Sequence, residues 1–168
     1  AEPGSHSLDV RRLAATDRWA FDSVSARDVN LTDTAGQEIS FSVGGTSYSL
    51  SIDPAQSSLD QIAAQINDAA ADDVEASVVN TGTESNPTYQ LVLTSEQSGE
   101  EGRITNLTSN VSGAGGSLVV DWVAPDADGE SQSRNNVTVG NDALAEINGL
   151  LVRRADNTFT GVIEGVTL

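Results

Sequence analysis

The chain has 168 residues, 38% of them hydrophobic and only 4% aromatic, and its 25 acidic and 8 basic residues give a net charge of −17. That length holds one ordinary domain or two small ones, with a core built mainly from Val, Ile, Leu and Ala. The charge repels phosphate backbones and anionic lipid, which excludes a nucleic-acid binder and argues against docking on a membrane.

Every basic residue is an arginine, and cysteine is absent. There is no disulfide framework and no thiolate metal site. Residues 1–7, Ala1 to Ser7, read as a tag or cloning scar, which takes in the only histidine, His6. Both ends are expected to be cut boundaries of a longer protein. No run of 18 apolar residues occurs, so no membrane-spanning helix is expected.

In chain order, Leu8 to Ala26 reads as a strand followed by an irregular or helical piece. Ile39, Phe41 and Val43 alternate with serines, as do Tyr48, Leu50 and Ile52, on either side of Gly44-Gly45. That is a β-hairpin with a primed turn and one buried face. Ser58-Leu59-Asp60-Gln61 is a capping box, and Leu59, Ile62, Ala63, Ile66, Ala69 and Ala70 follow at helical spacing. The helix should run over about 59–71.

Val74 to Asn80 and Tyr89 to Thr94 read as strands, with Leu91 and Leu93 on one face of the second. Ser95 to Gly102 reads as a polar, acidic loop, Ile104 to Leu107 as a short helical or extended piece, and Ser117 to Val123 as an apolar strand. Residues 124–136 are expected to form a long, mobile, polar loop. Ala143 to Ile147 and Leu150 to Arg153 flank Asn148-Gly149, a strong short-range hairpin signal. A turn at Thr158 to Ile163 precedes a last strand at Val166. The fold class is α+β: mostly antiparallel β with one main amphipathic helix.

Chemistry is scarce. Without cysteine, and with one histidine in the scar, triad and His-ligated metal sites are excluded. No phosphate-binding glycine motif occurs. Asp126, Asp128 and Glu130 lie on a glycine-containing loop but lack calcium-loop spacing. They read as a solvated acidic loop, as do Asp72-Asp73 and Glu100-Glu101. Sequons at Asn30, Asn106, Asn110 and Asn136 match chance in so Asn-, Ser- and Thr-rich a chain. Trp19 and Trp122 read as core. No catalytic residue, cofactor or metal site is expected, and the chain reads as a non-enzyme.

Three segments resemble known families. Ser58 to Ala69, with Val74 to Val79, Tyr89 to Ser95 and Ser98-Gly99, is similar to the flagellin hook IN motif, whose namesake pair is Ile66-Asn67. Its motif positions are Ser58, Leu59, Ile62, Ile66, Asn67, Val74, Leu91 and Leu93. From the residues alone, Ile66 reads as core and Asn67 as making a local backbone hydrogen bond near the helix end. The stretch Asp142 to Leu168, with Asn148, Gly149, Asn157 and Gly165, resembles the C-terminal block of bacterial flagellar filament capping proteins (hook-associated protein 2). Leu8 to Ala14 resembles the strand that enters their head, with Arg12 where Gln is usual.

The resemblance implies a head fragment of two small β-rich subdomains, one inserted in the other: 8–28 plus 138–168 as the base, 29–137 with the IN motif as the insert. It implies a structural and assembly role, promoting flagellin polymerisation at the filament tip after flagellar type III export. The implied partners are flagellin subunits and other copies in a cap ring, through regions mostly absent here. The fragment itself is expected to be monomeric or weakly associated. Two alternatives stay open: an adhesive surface-binding module, and the outer domain of a flagellin or other hook-associated protein.

Overall fold

The computed structural model describes residues 6–126, 128–163 and 166–168, the side chains of 166–167 excepted. Its elements are β1 (Leu8–Arg12), β2 (Thr16–Ala20), β3 (Gln37–Val43), β4 (Thr46–Ile52), a 3-10 turn at Pro54–Gln56, α1 (Leu59–Ala70), β5 (Val74–Asn80), β6 (Tyr89–Ser98) and β7 (Thr105–Ser109). There follow β8 (Ser112–Gly113), β9 (Gly116–Ser117), β10 (Asn136–Thr138), β11 (Ala143–Ile147), β12 (Leu150–Arg154), β13 (Thr160–Ile163) and β14 (Val166–Thr167). All recorded strand pairs are antiparallel. This is the α+β class that the residue pattern predicts. Among the described residues no helix is long and apolar enough to cross a membrane.

Two sheets and α1 enclose the larger core. One sheet runs β10-β2-β6-β5 and the other β4-β3-β7. The β3–β4 hairpin turns at Gly44 and Gly45, both at positive φ (57° and 85°), as a primed turn requires. Its serines pair across the outer face: Ser40 faces Ser49 and Ser42 faces Ser47. Ile39, Phe41, Val43, Leu50 and Ile52 point inward. The period-two pattern thus sets which face is wet. Trp19, Phe21 and Val24 also lie in this larger cluster, although the sequence reading groups residues 8–28 with the C-terminal segment.

A second, smaller cluster holds Ala14, Ala143, Ala145, Ile147 and Phe159. It backs a three-stranded sheet, β1-β11-β12. The β11–β12 hairpin turns at Asn148 (φ 51°) and Gly149 (φ 80°). Nothing lies within 4 Å of a Cβ added at Gly149, so backbone conformation alone demands glycine there.

Four readings change. Residues 16–20 form a strand, not a helical piece, because Asp17 and Trp19 turn inward while Arg18 stays outside. β6 continues to Ser98, with Ser95 buried where its Oγ accepts from the Asp17 amide (2.8 Å). Residues 118–123 form no strand: the Leu118 amide donates to Val111 O, Val119 O accepts from the Asp22 amide, and the Asp121 amide donates to Asn135 Oδ1. Their polar groups are taken by three separate segments, so no ladder forms. Residues 160–163 form a strand, β13, paired with β14, where a turn was expected.

Candidate functional site

The IN-motif residues are brought together on one side of the larger core. Ser58 caps α1: its Oγ accepts from the Gln61 amide (3.4 Å), and Gln61 Oε1 accepts from the Ser58 amide (3.2 Å). Leu59, Ile62 and Ile66 are fully buried, as are Leu91 and Leu93, and Val74 is nearly so. They hold the helix against β5, β4 and β6.

Asn67 does not make the expected local bond. Its Nδ2 donates to Ala76 O (2.9 Å) and its Oδ1 accepts from the Ala76 amide (2.6 Å), nine residues further on. One side-chain amide therefore satisfies both main-chain groups of a residue on β5, as a neighbouring strand would. β5 ends its sheet, so Asn67 closes part of a free edge that is otherwise open to pairing. The Ile66-Asn67 pair has two jobs one residue apart: Ile66 faces the core and Asn67 clasps the sheet.

Asn157 repeats the device in the smaller sheet. Its Oδ1 accepts from the Ala14 amide (2.7 Å) and its Nδ2 donates to Ala14 O (3.1 Å). Asn148 holds its own turn, and its Oδ1 accepts from the Ser7 amide (3.0 Å). Gly165 lies outside the described residues.

The most concentrated polar arrangement is one that the sequence reading did not single out. Ala15 and Asn141 exchange backbone bonds (Ala15 N to Asn141 O, 2.9 Å; Asn141 N to Ala15 O, 3.2 Å), forming a two-strand neck between the clusters. Asp17 is buried beneath it. Asp17 Oδ2 accepts from Trp19 Nε1 (2.7 Å) and the Ile104 amide (2.9 Å); Oδ1 accepts from the Gly140 amide (3.0 Å) and Asn136 Nδ2 (3.2 Å). Four donors replace the water that a buried carboxylate loses. Its parity with Trp19 and Phe21 was the available signal: an acid at an inward position of a strand needs donors.

A loop from β6 braces the neck. Ser98 Oγ donates to Ala155 O (2.7 Å), the Gly99 amide to Ala15 O (3.1 Å) and the Glu100 amide to Asp142 Oδ1 (2.8 Å). Arg103 donates to Gly140 O (2.6 Å) and Asn141 Oδ1 (2.8 Å), and Arg153 reaches Glu100 at 3.0 Å. Gly99 sits at φ 91°, and a Cβ there would lie 2.7 Å from Asp142 Oδ1 and 2.9 Å from Ala155 O. This position takes no other residue without displacing the smaller sheet.

Elsewhere the charges serve structure. Asp126 Oδ1 accepts from the Asp128 and Glu130 amides, so this acid closes its own loop. Among the described residues no group of three or more His, Cys, Asp or Glu is arranged to hold a metal ion. Arg134 binds Asp22 at 2.8 Å and holds that carboxyl below its ordinary value. The Tyr48 hydroxyl is pushed up because it donates to the Asp73 carboxylate (2.5 Å). Trp19 is buried, with the half-buried Trp122 ring 6.5 Å away.

Comparison with known proteins agrees with this geometry. The Flagellin hook IN motif model matches residues 38–97, which include α1, β5 and most of β6. Flagellar hook-associated protein 2 of Campylobacter jejuni is 26% identical over 188 aligned residues, covering 98% of this chain and 29% of that protein. The chain thus spans less than a third of that curated relative. The flagellar cap protein FliD D2-D3 domains of Serratia marcescens superpose with a TM-score of 0.78 at 24% identity, over 99% of this chain and 85% of that one. The corresponding Escherichia coli domains give 0.74 at 23%, over 99% and 82%. The chain therefore carries the flagellin hook IN motif, has the fold of flagellar cap protein D2-D3 domains, and is similar along its length to part of a flagellar hook-associated protein 2.

Proposed function

We propose that this chain is the head of a flagellar cap, a structural part that promotes flagellin polymerisation at the filament tip. The observation that carries the reading is the match along 98% of this chain to a flagellar hook-associated protein 2. Its work is steric. A rigid lid needs a well-packed body, and Trp19, Phe21, Phe41, Ile62, Ile66, Leu91 and Leu93 supply one. In this reading flagellin subunits lie beneath the head, other copies of the parent protein complete a ring, and the protein reaches the tip by flagellar type III export. The IN-motif residues are framework in this picture: they set the helix on the sheet and close an edge that would otherwise recruit strands.

The division into parts belongs to the same proposal. Residues 8–15 with 141–168 form the base, and 16–140 form the insertion. This draws both boundaries, set from the sequence at 28/29 and 137/138, to the Ala15–Asn141 neck.

The test is complementation. Residues 8–168 are removed in frame from the parent protein in its own host, and filaments and free flagellin are measured. Short or missing filaments with flagellin leaking into the medium are expected, with rescue by the intact gene. Normal filaments from a stably expressed deletion would overturn the reading.

A further inference from the structure

We propose that the free edge of β12 is a self-association surface, on which a second copy of this chain pairs antiparallel about Leu151. The inference is independent of the filament-tip reading and rests on three features of the smaller sheet.

The first is an edge that no strand among the described residues covers. β12 ends its sheet, and Leu150 and Leu151 are 71% and 65% exposed, on opposite faces of the strand. In a two-residue hairpin the residues flanking the turn form the first hydrogen-bonded pair, here Ile147 and Leu150. Leu150, Val152 and Arg154 therefore bond inward, and the main-chain groups of Leu151 and Arg153 face out. Arg153 O is already taken by the Arg154 guanidinium (2.8 Å), which leaves Leu151 as the open pairing position. The opposite edge, β1, is better defended: its register breaks between Val10 and Arg12, and it carries the charged pair Asp9–Arg11.

The second is self-complementarity. With the twofold axis at Leu151, that residue faces its own copy on one side of the joined sheet. On the other side Leu150 faces Val152. Arg153 falls opposite Gly149, so no arginine is set against another. Two backbone bonds form, and the joined sheet has six strands.

The third is charge. Residues 8–15 and 141–168 hold five acids and four arginines, a net charge of −1; residues 16–140 hold nineteen acids and four arginines, a net charge of −15. Two such copies repel through their larger parts and meet at lowest electrostatic cost through the smaller sheets. The contact is small, well under the roughly 1,000 Å² of a lasting interface, so the dimer is weak and calls for concentrated protein.

Sedimentation of the intact chain at about 0.5 mM, in roughly 0.1 M and 1 M NaCl, tests this, because the screening length shortens from about 10 Å to about 3 Å. Dimer is expected, with several-fold more at high salt. Leu151→Lys should abolish it, and Leu13→Lys, equally exposed in the same unit, should leave it. A monomer at every salt concentration, or dimer unaffected by Leu151→Lys, would overturn the proposal. Because the chain has no cysteine, a second readout is clean. A hydrogen-bonded antiparallel pair holds its Cα atoms about 5.5 Å apart, within disulfide range. Under an added oxidant Leu151→Cys should cross-link much faster than Leu8→Cys on β1. The reverse order would equally overturn it.

Discussion

The two parts of this molecule are stabilised in different ways. Among the described residues the larger core cluster holds twenty-two buried apolar residues, Trp19, Phe21 and Phe41 among them; the smaller holds five, three of them alanine. A cluster of that size does not hold a fold alone. The smaller sheet is ordered because its neighbour grips it, through the neck, the Ser98–Arg103 loop and the Asn157 clasp. What it lacks in apolar burial it recovers from hydrogen bonds, its own through Asn157 and those to its neighbour through Ser98, Gly99, Glu100 and Arg103. The larger part adds buried polar contacts of its own, those of Asp17 and Asn135 among them, to a far larger apolar core.

The strongest way to break this contrast is Asp17→Ala. It strips the acceptor from two backbone amides, the Trp19 indole and Asn136, and should cost about 4 kcal/mol. Urea unfolding measures it, and a loss under 1 kcal/mol would mean that water replaces the carboxylate. Gly99→Val comes next, at about 3 kcal/mol from strain and contact. Its effect should be uneven: hydrogen exchange at Ala143–Ile147 should quicken while α1 stays protected. Uniform acceleration would contradict a smaller sheet that depends on this loop.

Asn67→Ala should cost about 2 kcal/mol, since the Ala76 amide and carbonyl lose their partners. Here the exchange pattern should invert, with β5 and α1 loosened and β11 protected. Identical patterns for the Gly99 and Asn67 variants would erase the distinction between the two parts. The smallest effect concerns acid. Arg134 lowers the Asp22 carboxyl below its ordinary 3.8. The pair's contribution is therefore fully present above pH 3.8 and is lost as pH falls through the lower folded value. It is a half-exposed pair, so the loss should stay below about 1 kcal/mol. Carboxyl NMR should place Asp22 below the exposed acids of the chain; a value at or above 3.8 would refute the pairing.

Local rules made much of the fold legible. The serine alternation around Gly44-Gly45, the Ser58 capping box and the Asn148-Gly149 turn each fix a neighbourhood within a few residues, and each stands as expected. What stayed hidden depends on distant partners. Leu118 to Val123 is apolar enough for a strand, yet its polar groups are claimed by Val111, Asp22 and Asn135. Asn67 looked local because most asparagines near helix ends are, and its real partner lies on another element. Asp17 announced that it needed donors but not which ones. The neck and its brace arise from contacts that join residues 37 to 126 apart in the chain, beyond the reach of any local pattern.

Those spans also bear on how the chain reaches its final state. β1 and β11 meet across 135 residues, as the Arg11–Glu146 contact shows. Closing that loop from an extended chain is far dearer in entropy than closing it once the intervening residues have condensed and brought Thr16 beside Gly140. Shortening the effective loop from roughly 130 to about 10 residues relieves about 2 kcal/mol. Loop-closure entropy thus favours an order in which the helix-bearing part collapses first and the outer three strands pair last, on a template already in place.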